Sequence, residues 1–242
     1  MKHVGILAHS VPGAAMCFRH YCETAMAELG DHNHPDVTMD CVAMGQSMPA
    51  WETGDYDTVR DILARSVDRL AAAGADFFLC PDNTAHLALE RPGVDLALPG
   101  LHIAEVVART AKAAGYNRVG VLGTRWTMEA GLYPRVLTEH GISAGIPDAE
   151  SRALIQERTF GELTHGVFTE ETRAEFVTVI RRLAAEGCDA VALVCTEFPL
   201  LVPPAESPIP TLESTTLVAE AAADVALDRE PLPTWRGGPP DR

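Results

Sequence analysis

Short, wholly apolar runs alternate along this chain with longer segments whose apolar residues recur every three or four positions. Val4 to Ala8 reads as a buried strand, Ala14 to Leu29 as a helix and Val37 to Ala43 as a second strand. Between Asp57 and Ala73, the residues Val59, Ile62, Leu63, Ser66, Val67 and Leu70 share one face and the charges lie opposite, which predicts an amphipathic helix. Gly74 ends it. Phe77-Phe78-Leu79-Cys80 is too apolar to be exposed on either side, as in a strand of a parallel sheet covered by helices. The pattern continues with a helix at His102 to Ala114, a strand at Arg118 to Leu122, a helix at Met128 to His140 and an irregular stretch near Pro147. A helix at Glu171 to Ala185, a strand at Ala190 to Val194 and a helix at Leu217 to Leu227 complete it. This alternation predicts an α/β fold with mainly parallel strands.

One segment occurs twice. Ala73-Gly74-Ala75-Asp76, followed by the strand to Cys80 and Pro81-Asp82-Asn83-Thr84, lines up with Glu186-Gly187-Cys188-Asp189, the strand to Val194 and Cys195-Thr196-Glu197. Positions 74, 76 and 82 reappear as 187, 189 and 195 at one constant spacing, and Val4-Gly5-Ile6-Leu7 is echoed by Val119-Gly120-Val121-Leu122 at nearly the same spacing. Either this is the shared grammar of helix, glycine and strand, or the chain holds two copies of one α/β unit. Two copies would face each other across a cleft, with the loops after equivalent strands meeting there, where open α/β sheets bind ligands.

Composition narrows the chemistry. The chain has 242 residues, 47% of them hydrophobic, enough for a real core in one large or two small domains. Its net charge of −15 argues against a nucleic-acid partner, which needs a basic surface to displace counterions from phosphates. No apolar run is long enough to span a bilayer, and the N-terminus is too short in apolar residues for a signal peptide, so a cytoplasmic protein is expected. The cysteines at 17, 22, 41, 80, 188 and 195 form neither a disulfide framework nor a CxxC pair, and no metal site is expected. No Walker or GxGxxG pattern occurs, and no lysine sits in a setting suited to pyridoxal phosphate. No cofactor is expected.

The chemistry concentrates in the two equivalent loops, Asp82-Asn83-Thr84-Ala85-His86 and Cys195-Thr196-Glu197-Phe198. Each opens with a residue able to carry a proton. Backbone N–H groups with Asn83, Thr84 and Thr196 are suited to hold a carboxylate. A carboxylate fixed between a base on one side and an acid on the other suits removal of an α-proton from one face and its return to the opposite face, with fixed donors stabilising the enolate. His86 either orients the first loop or is structural. Glu197 either holds the thiol or an ammonium group, or is solvated. Of His9 and Ser10, which follow the first strand, Ser10 is the better candidate. Met48 and Trp51 either line a pocket or pack the core, and Cys80 reads as core.

These residues resemble the aspartate/glutamate racemase family, the group independent of pyridoxal phosphate that includes hydantoin racemases, maleate isomerases and arylmalonate decarboxylases. The resemblance rests on Gly74-Ala75-Asp76 with Asn83-Thr84-Ala85-His86, Gly120 to Met128 with Gly131-Leu132-Tyr133, Cys195 to Leu201, and Glu213-Ser214-Thr215-Thr216. It implies two similar parallel-sheet α/β domains related by a pseudo-twofold, residues 1–98 plus 210–228 and residues 99–209. The composition of 229–242, with four prolines and two glycines, predicts a flexible tail. Cys195 matches the second of the family's two catalytic cysteines. Asn83, Thr84 and Thr196 match substrate-carboxylate binders, as do Ser10 and Thr124, and a homodimer is implied. The first catalytic cysteine is absent, because the family's Cys-Asn-Thr reads Asp82-Asn83-Thr84 here. A carboxyl can replace a thiol as acid or base if its pKa is lifted toward neutrality; otherwise Asp82 merely caps the turn. The expected activity is therefore a cofactor-independent racemase or epimerase of an amino acid or close derivative, with Asp82 and Cys195 on opposite faces of the α-carbon. The alternatives are a decarboxylase or cis–trans isomerase using Cys195 alone as proton donor, and an inactive ligand-binding homologue. Val167 and the stretch Met44 to Trp51 supply none of the basic residues expected for an acidic amino acid.

Overall fold

The computed structural model of the protein describes residues 1–238. The chain divides into two compact units, Met1–Ile103 together with the chain from Val218 onward, and Ala104–Leu217. The expected boundaries, after residues 98 and 209, come earlier than these. The strand that follows Pro210 pairs within the second unit's sheet, so the chain returns to the first unit only partway along the last helix.

The first unit contains β1 (Val4–Ala8), α1 (Val11–Leu29), β2 (Val37–Cys41), α2 (Met48–Thr53), α3 (Tyr56–Ala72), β3 (Phe77–Leu79), α4 (Ala85–Leu89) and β4 (Gly100–Leu101). Its sheet has the order β2-β1-β3-β4, all parallel. The second unit begins within α5 (Ile103–Ala113) and holds β5 (Arg118–Gly123), α6 (Arg125–Glu129), α7 (Leu132–Glu139), β6 (Ser143–Gly145), α8 (Ala149–Gly161) and α9 (Glu170–Ala185). It continues through β7 (Ala190–Val194), α10 (Phe198–Leu201) and β8 (Thr211–Glu213), and the division falls within α11 (Ser214–Ala226). Its sheet, β6-β5-β7-β8, has the same order in the same sense.

The duplication extends to side chains. Asp76 accepts a hydrogen bond from the His3 N–H at 2.7 Å and returns its own N–H to the His3 carbonyl. Asp189 does the same with Arg118, accepting its N–H at 3.1 Å and donating to its carbonyl at 2.9 Å. In each unit this clamp joins the start of one strand to the neighbouring strand. Gly74 and Gly187, which stop α3 and α9, have φ of +89° and +93°, a left-handed conformation that an L side chain disfavours. Gly5 and Gly120 let a helix approach the sheet closely. A Cβ there would lie 3.1 Å from Leu70 and 2.9 Å from Leu183, which occupy equivalent helical positions.

The first core gathers Leu7, Leu63, Leu70 and Phe78 with Trp51, and the second gathers Leu122, Phe176, Leu183 and Phe198. Trp51 thus packs in the core, with Met48 against its margin. The helix expected over Met128 to His140 is two helices, because Gly131 with φ +78° starts a new one. The stretch near Pro147 leads into α8, started by Asp148, whose side chain accepts the Ser151 N–H.

Within the expected flexible tail, residues 235–238 make specific contacts with the segment from Leu89 to Gly100. Trp235 forms an antiparallel bridge to Gly100, Arg236 accepts the Leu96 N–H at 2.9 Å, and Gly238 donates to the Leu89 carbonyl at 2.9 Å. The tryptophan's apolar area against aromatic neighbours offsets the ordering cost that the prolines and glycines alone would not. Residues 239–242 of that tail lie outside the described residues. Among the described residues no helix is long and apolar enough to cross a membrane.

Candidate active site

In the first unit the C-terminal ends of β1 and β3 lie side by side, because the two strands pair in parallel. His9 follows one and Asp82 the other. Asp82 uses both carboxylate oxygens. Oδ1 accepts the N–H groups of Thr84 at 2.9 Å and Ala85 at 3.3 Å, which caps the start of α4. Oδ2 lies 2.7 Å from His9 Nδ1, and His9 Nε2 lies 2.8 Å from Ser47 Oγ. The His9 side chain is 2% exposed and that of Asp82 12%.

These contacts count protons. The Ser47 hydroxyl donates to the Met44 carbonyl at 2.9 Å, so its oxygen accepts from His9, and Nε2 carries a hydrogen. The short contact between Nδ1 and Oδ2 then contains one proton, held either as imidazolium and carboxylate or as neutral imidazole and carboxylic acid. Burial pushes the Asp82 pKa up, but the hydrogen bond and charge of His9, with the Ala85 N–H, pull harder and hold it below the ordinary aspartate value. The expected lift toward neutrality is therefore not found. It would follow from burial alone, but His9, from a distant segment, reaches this carboxyl and reverses it.

Asn83 is buried and Thr84 half-buried at the start of α4. His86 donates from Nδ1 to the Asp82 carbonyl at 3.0 Å and accepts the Ile103 N–H at Nε2, 3.3 Å away. Burial, then the neighbouring His102, pushes its pKa down to about 3, so it is a neutral histidine. Cys80 is fully buried and its thiol is pushed well above the ordinary range, chiefly by burial, which makes it inert core. Ser10 is the N-cap residue of α1 and makes no side-chain cap hydrogen bond.

In the second unit the equivalent pair of strand ends carries Thr124, after β5, and Cys195, after β7. Cys195 is half-buried. Its thiol donates to Glu197 Oε2 at 3.1 Å, and Thr196 Oγ1 donates to the same oxygen at 2.7 Å. Glu197 is 8% exposed, so its carboxylate is not a solvated one but an acceptor set against the thiol. Thr124 caps α6, accepting the Thr127 N–H at 3.4 Å.

The structure thus brings Cys195, Thr196 and Glu197 into one hydrogen-bonded group, and joins Asp82 to His9 and Ser47 in another. His9, and not the favoured Ser10, is the partner of Asp82, and Ser47, which no sequence signal ties to either, enters from a different loop. Among the described residues no group of three or more His, Cys, Asp or Glu side chains is arranged to hold a metal ion.

Known proteins share this framework. The chain is 24% identical over 228 residues, covering 93% of itself and 98% of the relative, to the broad specificity amino-acid racemase RacX of Bacillus subtilis. It is 27% identical over 194 residues to the glutamate racemase of Ectopseudomonas mendocina, covering 78% of this chain and 70% of that one. A crystal structure of a candidate Asp/Glu racemase from Yersinia pestis superposes with a TM-score of 0.84 at 31% identity, over 94% of this chain and all of that one. The sequence pattern of the Asp/Glu/Hydantoin racemase family matches residues 12–222, and the chain belongs to that family.

Proposed function

We propose that this protein is a cofactor-independent amino-acid racemase or epimerase in which Asp82 and Cys195 exchange the α-proton, one on each face of the α-carbon. The observation that carries the reading is positional. Two units of identical strand order present, after the equivalent strands β3 and β7, one carboxyl and one thiol, each hydrogen-bonded to a second proton-holding group. The relatives named amino-acid racemase and glutamate racemase support the reaction class.

The proton inventory makes a low-pKa aspartate usable. In one form of the enzyme Cys195 is a thiolate and the Asp82–His9 pair holds its proton. The thiolate takes the α-hydrogen and the pair delivers a proton to the opposite face. The product form has a Cys195 thiol, an Asp82 carboxylate and a neutral His9. Because Nε2 keeps its hydrogen toward Ser47, the Nδ1 lone pair then faces Oδ2 across a short contact. Two lone pairs at that distance repel, which raises the basicity of Asp82 at the moment it must act as base for the reverse direction. Glu197, accepting from the thiol, is the group placed to take the Cys195 proton when the thiolate is needed. Asn83, Thr84, Thr196 and Ser10, with loop N–H groups, hold the substrate carboxylate and the developing enolate. The absence of a basic residue at Val167 and from Met44 to Trp51 points to a neutral substrate side chain. A homodimer, as the family resemblance implies, completes the proposal.

A second reading has its own observation. Both oxygens of Asp82 are already engaged, one in capping α4. If that is its whole role, Cys195 alone delivers protons, as in a decarboxylase or cis–trans isomerase. A panel of L- and D-amino acids, hydantoins and malonates separates the two. Loss of optical rotation without carbon dioxide release supports racemisation, whereas carbon dioxide release, or no loss of rotation with any amino acid, overturns it.

A further inference from the structure

We propose that Trp235 is a positioning residue for the Asp82 loop, with residues 235–238 acting as a strap that holds His86 against that loop. The inference rests on the role proposed above for Asp82.

The strap is built, not laid on the surface. The Gly100 N–H donates to the Trp235 carbonyl at 2.7 Å, extending the first sheet beyond β4 by one antiparallel bridge. Arg236 Nη1 donates to the carbonyls of Leu96 and Ala97 at 3.1 and 3.0 Å. Trp235 Nε1 donates to the Gly238 carbonyl at 2.9 Å, closing the segment on itself. These bonds fix the indole at one place.

There the indole meets two buried histidines. It stacks on His86 with ring centroids 5.8 Å apart and planes 14° from parallel, and it meets His102 edge-on at 4.9 Å. His102 is itself held by Glu90, whose Oε1 lies 2.8 Å from Nε2. His86 has both ring nitrogens committed, one accepting the Ile103 N–H and the other donating to the Asp82 carbonyl. With both ends of the imidazole committed, the indole sets the tilt of its plane. Tilting that plane moves the donor that holds the Asp82 backbone, and with it the carboxyl that meets His9. A proton transfer to carbon tolerates little displacement, and about 1 Å of misplacement costs on the order of a hundredfold in rate.

The test compares Trp235→Ala with Trp235→Phe, which keeps an aromatic face, in the full-length protein. Amide hydrogen exchange needs no substrate. In Trp235→Ala the amides of Thr84, Ala85 and His86 are expected to exchange faster, those following Cys195 to stay unchanged, and Trp235→Phe to restore protection. Unchanged protection at residues 84–86 in Trp235→Ala overturns the strap. If Trp235→Ala does not fold, Trp235→Leu serves in the same comparison. The catalytic readout is the isotope effect of α-deuterated substrate, measured from each enantiomer. Slowing only the transfer at Asp82 raises the effect from the enantiomer whose proton Asp82 removes, the same one affected in His9→Gln, with kcat reduced about tenfold to a hundredfold. Equal changes from both enantiomers would reduce Trp235 to a purely structural role and contradict the proposal. Absence of α-proton exchange in the unmodified protein with every amino acid tried would instead sink the racemase reading, and the positioning role with it, while the exchange data still judge the strap.

Discussion

A carboxyl that shares its proton with a neighbouring imidazole has a basicity set by that neighbour, and Asp82 is such a group. His9→Gln removes the imidazole that shares this proton and whose lone pair, once the proton has been delivered, raises the basicity of Asp82. The pH–rate limb belonging to Asp82 as base is therefore expected to move to lower pH, with kcat falling about tenfold to a thousandfold. Ser47→Ala removes the acceptor that fixes the His9 tautomer, and a smaller loss in the same direction is expected. A limb that stays in place in both variants would remove His9 from the mechanism. His86 makes a separate prediction about stability. Its pKa is about 3 in the fold, against 6.5 when unperturbed. As pH falls below 6.5 the unfolded chain takes up this proton and the folded one does not, so stability declines until pH approaches 3. The slope from this residue is at most about 1.4 kcal/mol per pH unit. Urea unfolding at a series of pH values, repeated with His86→Gln, checks it through the loss of that slope. At this scale Cys195 with Thr196 and Glu197 was legible because its chemistry is contiguous in sequence. The partners of Asp82 were not, since His9 and Ser47 arrive from two distant segments with no periodicity to tie them to it.

Elements were legible where one periodicity ran long enough. Helix α3 and the wholly buried strands β1, β3 and β7 stand close to their expected limits. Strands β4, β6 and β8 were not foreseen, because two or three residues contain no alternation to detect. They exist because the neighbouring strand offers a ready ladder of hydrogen bonds. The break between α6 and α7 and the start of α8 depend on single residues, Gly131 and Asp148, that periodicity averages over. One such residue gives a prediction. Gly100 pairs with Phe78 in β3, and a Cβ at Gly100 would run into the Phe78 ring. The ring is fully buried and has nowhere to swing, so Gly100→Ala is expected to cost about 1–3 kcal/mol. A lower denaturation midpoint at unchanged slope in urea is the expected result, and an unchanged midpoint would mean that the β3–β4 edge is looser than described.

For the whole molecule, the most informative signal in the sequence was its own repetition. The glycine and aspartate spaced alike in both halves are the αL stops and strand clamps of two units with one strand order. Duplication explains why proton-carrying groups stand at equivalent positions, and divergence explains why they differ, carboxyl with imidazole in one unit and thiol with carboxylate in the other. The C-terminal segment escaped this reading because it has no counterpart in the second copy, and its composition resembles that of a loose tail until Trp235 is placed. The central claim is that both groups are needed to invert one carbon. It is tested most directly by incubating a single enantiomer of a turned-over amino acid in deuterium oxide with the unmodified protein, Asp82→Asn and Cys195→Ala. The unmodified protein is expected to form the opposite enantiomer with deuterium at the α-carbon, and each substitution alone to abolish that inversion. Inversion persisting at the unmodified rate in either variant would contradict it.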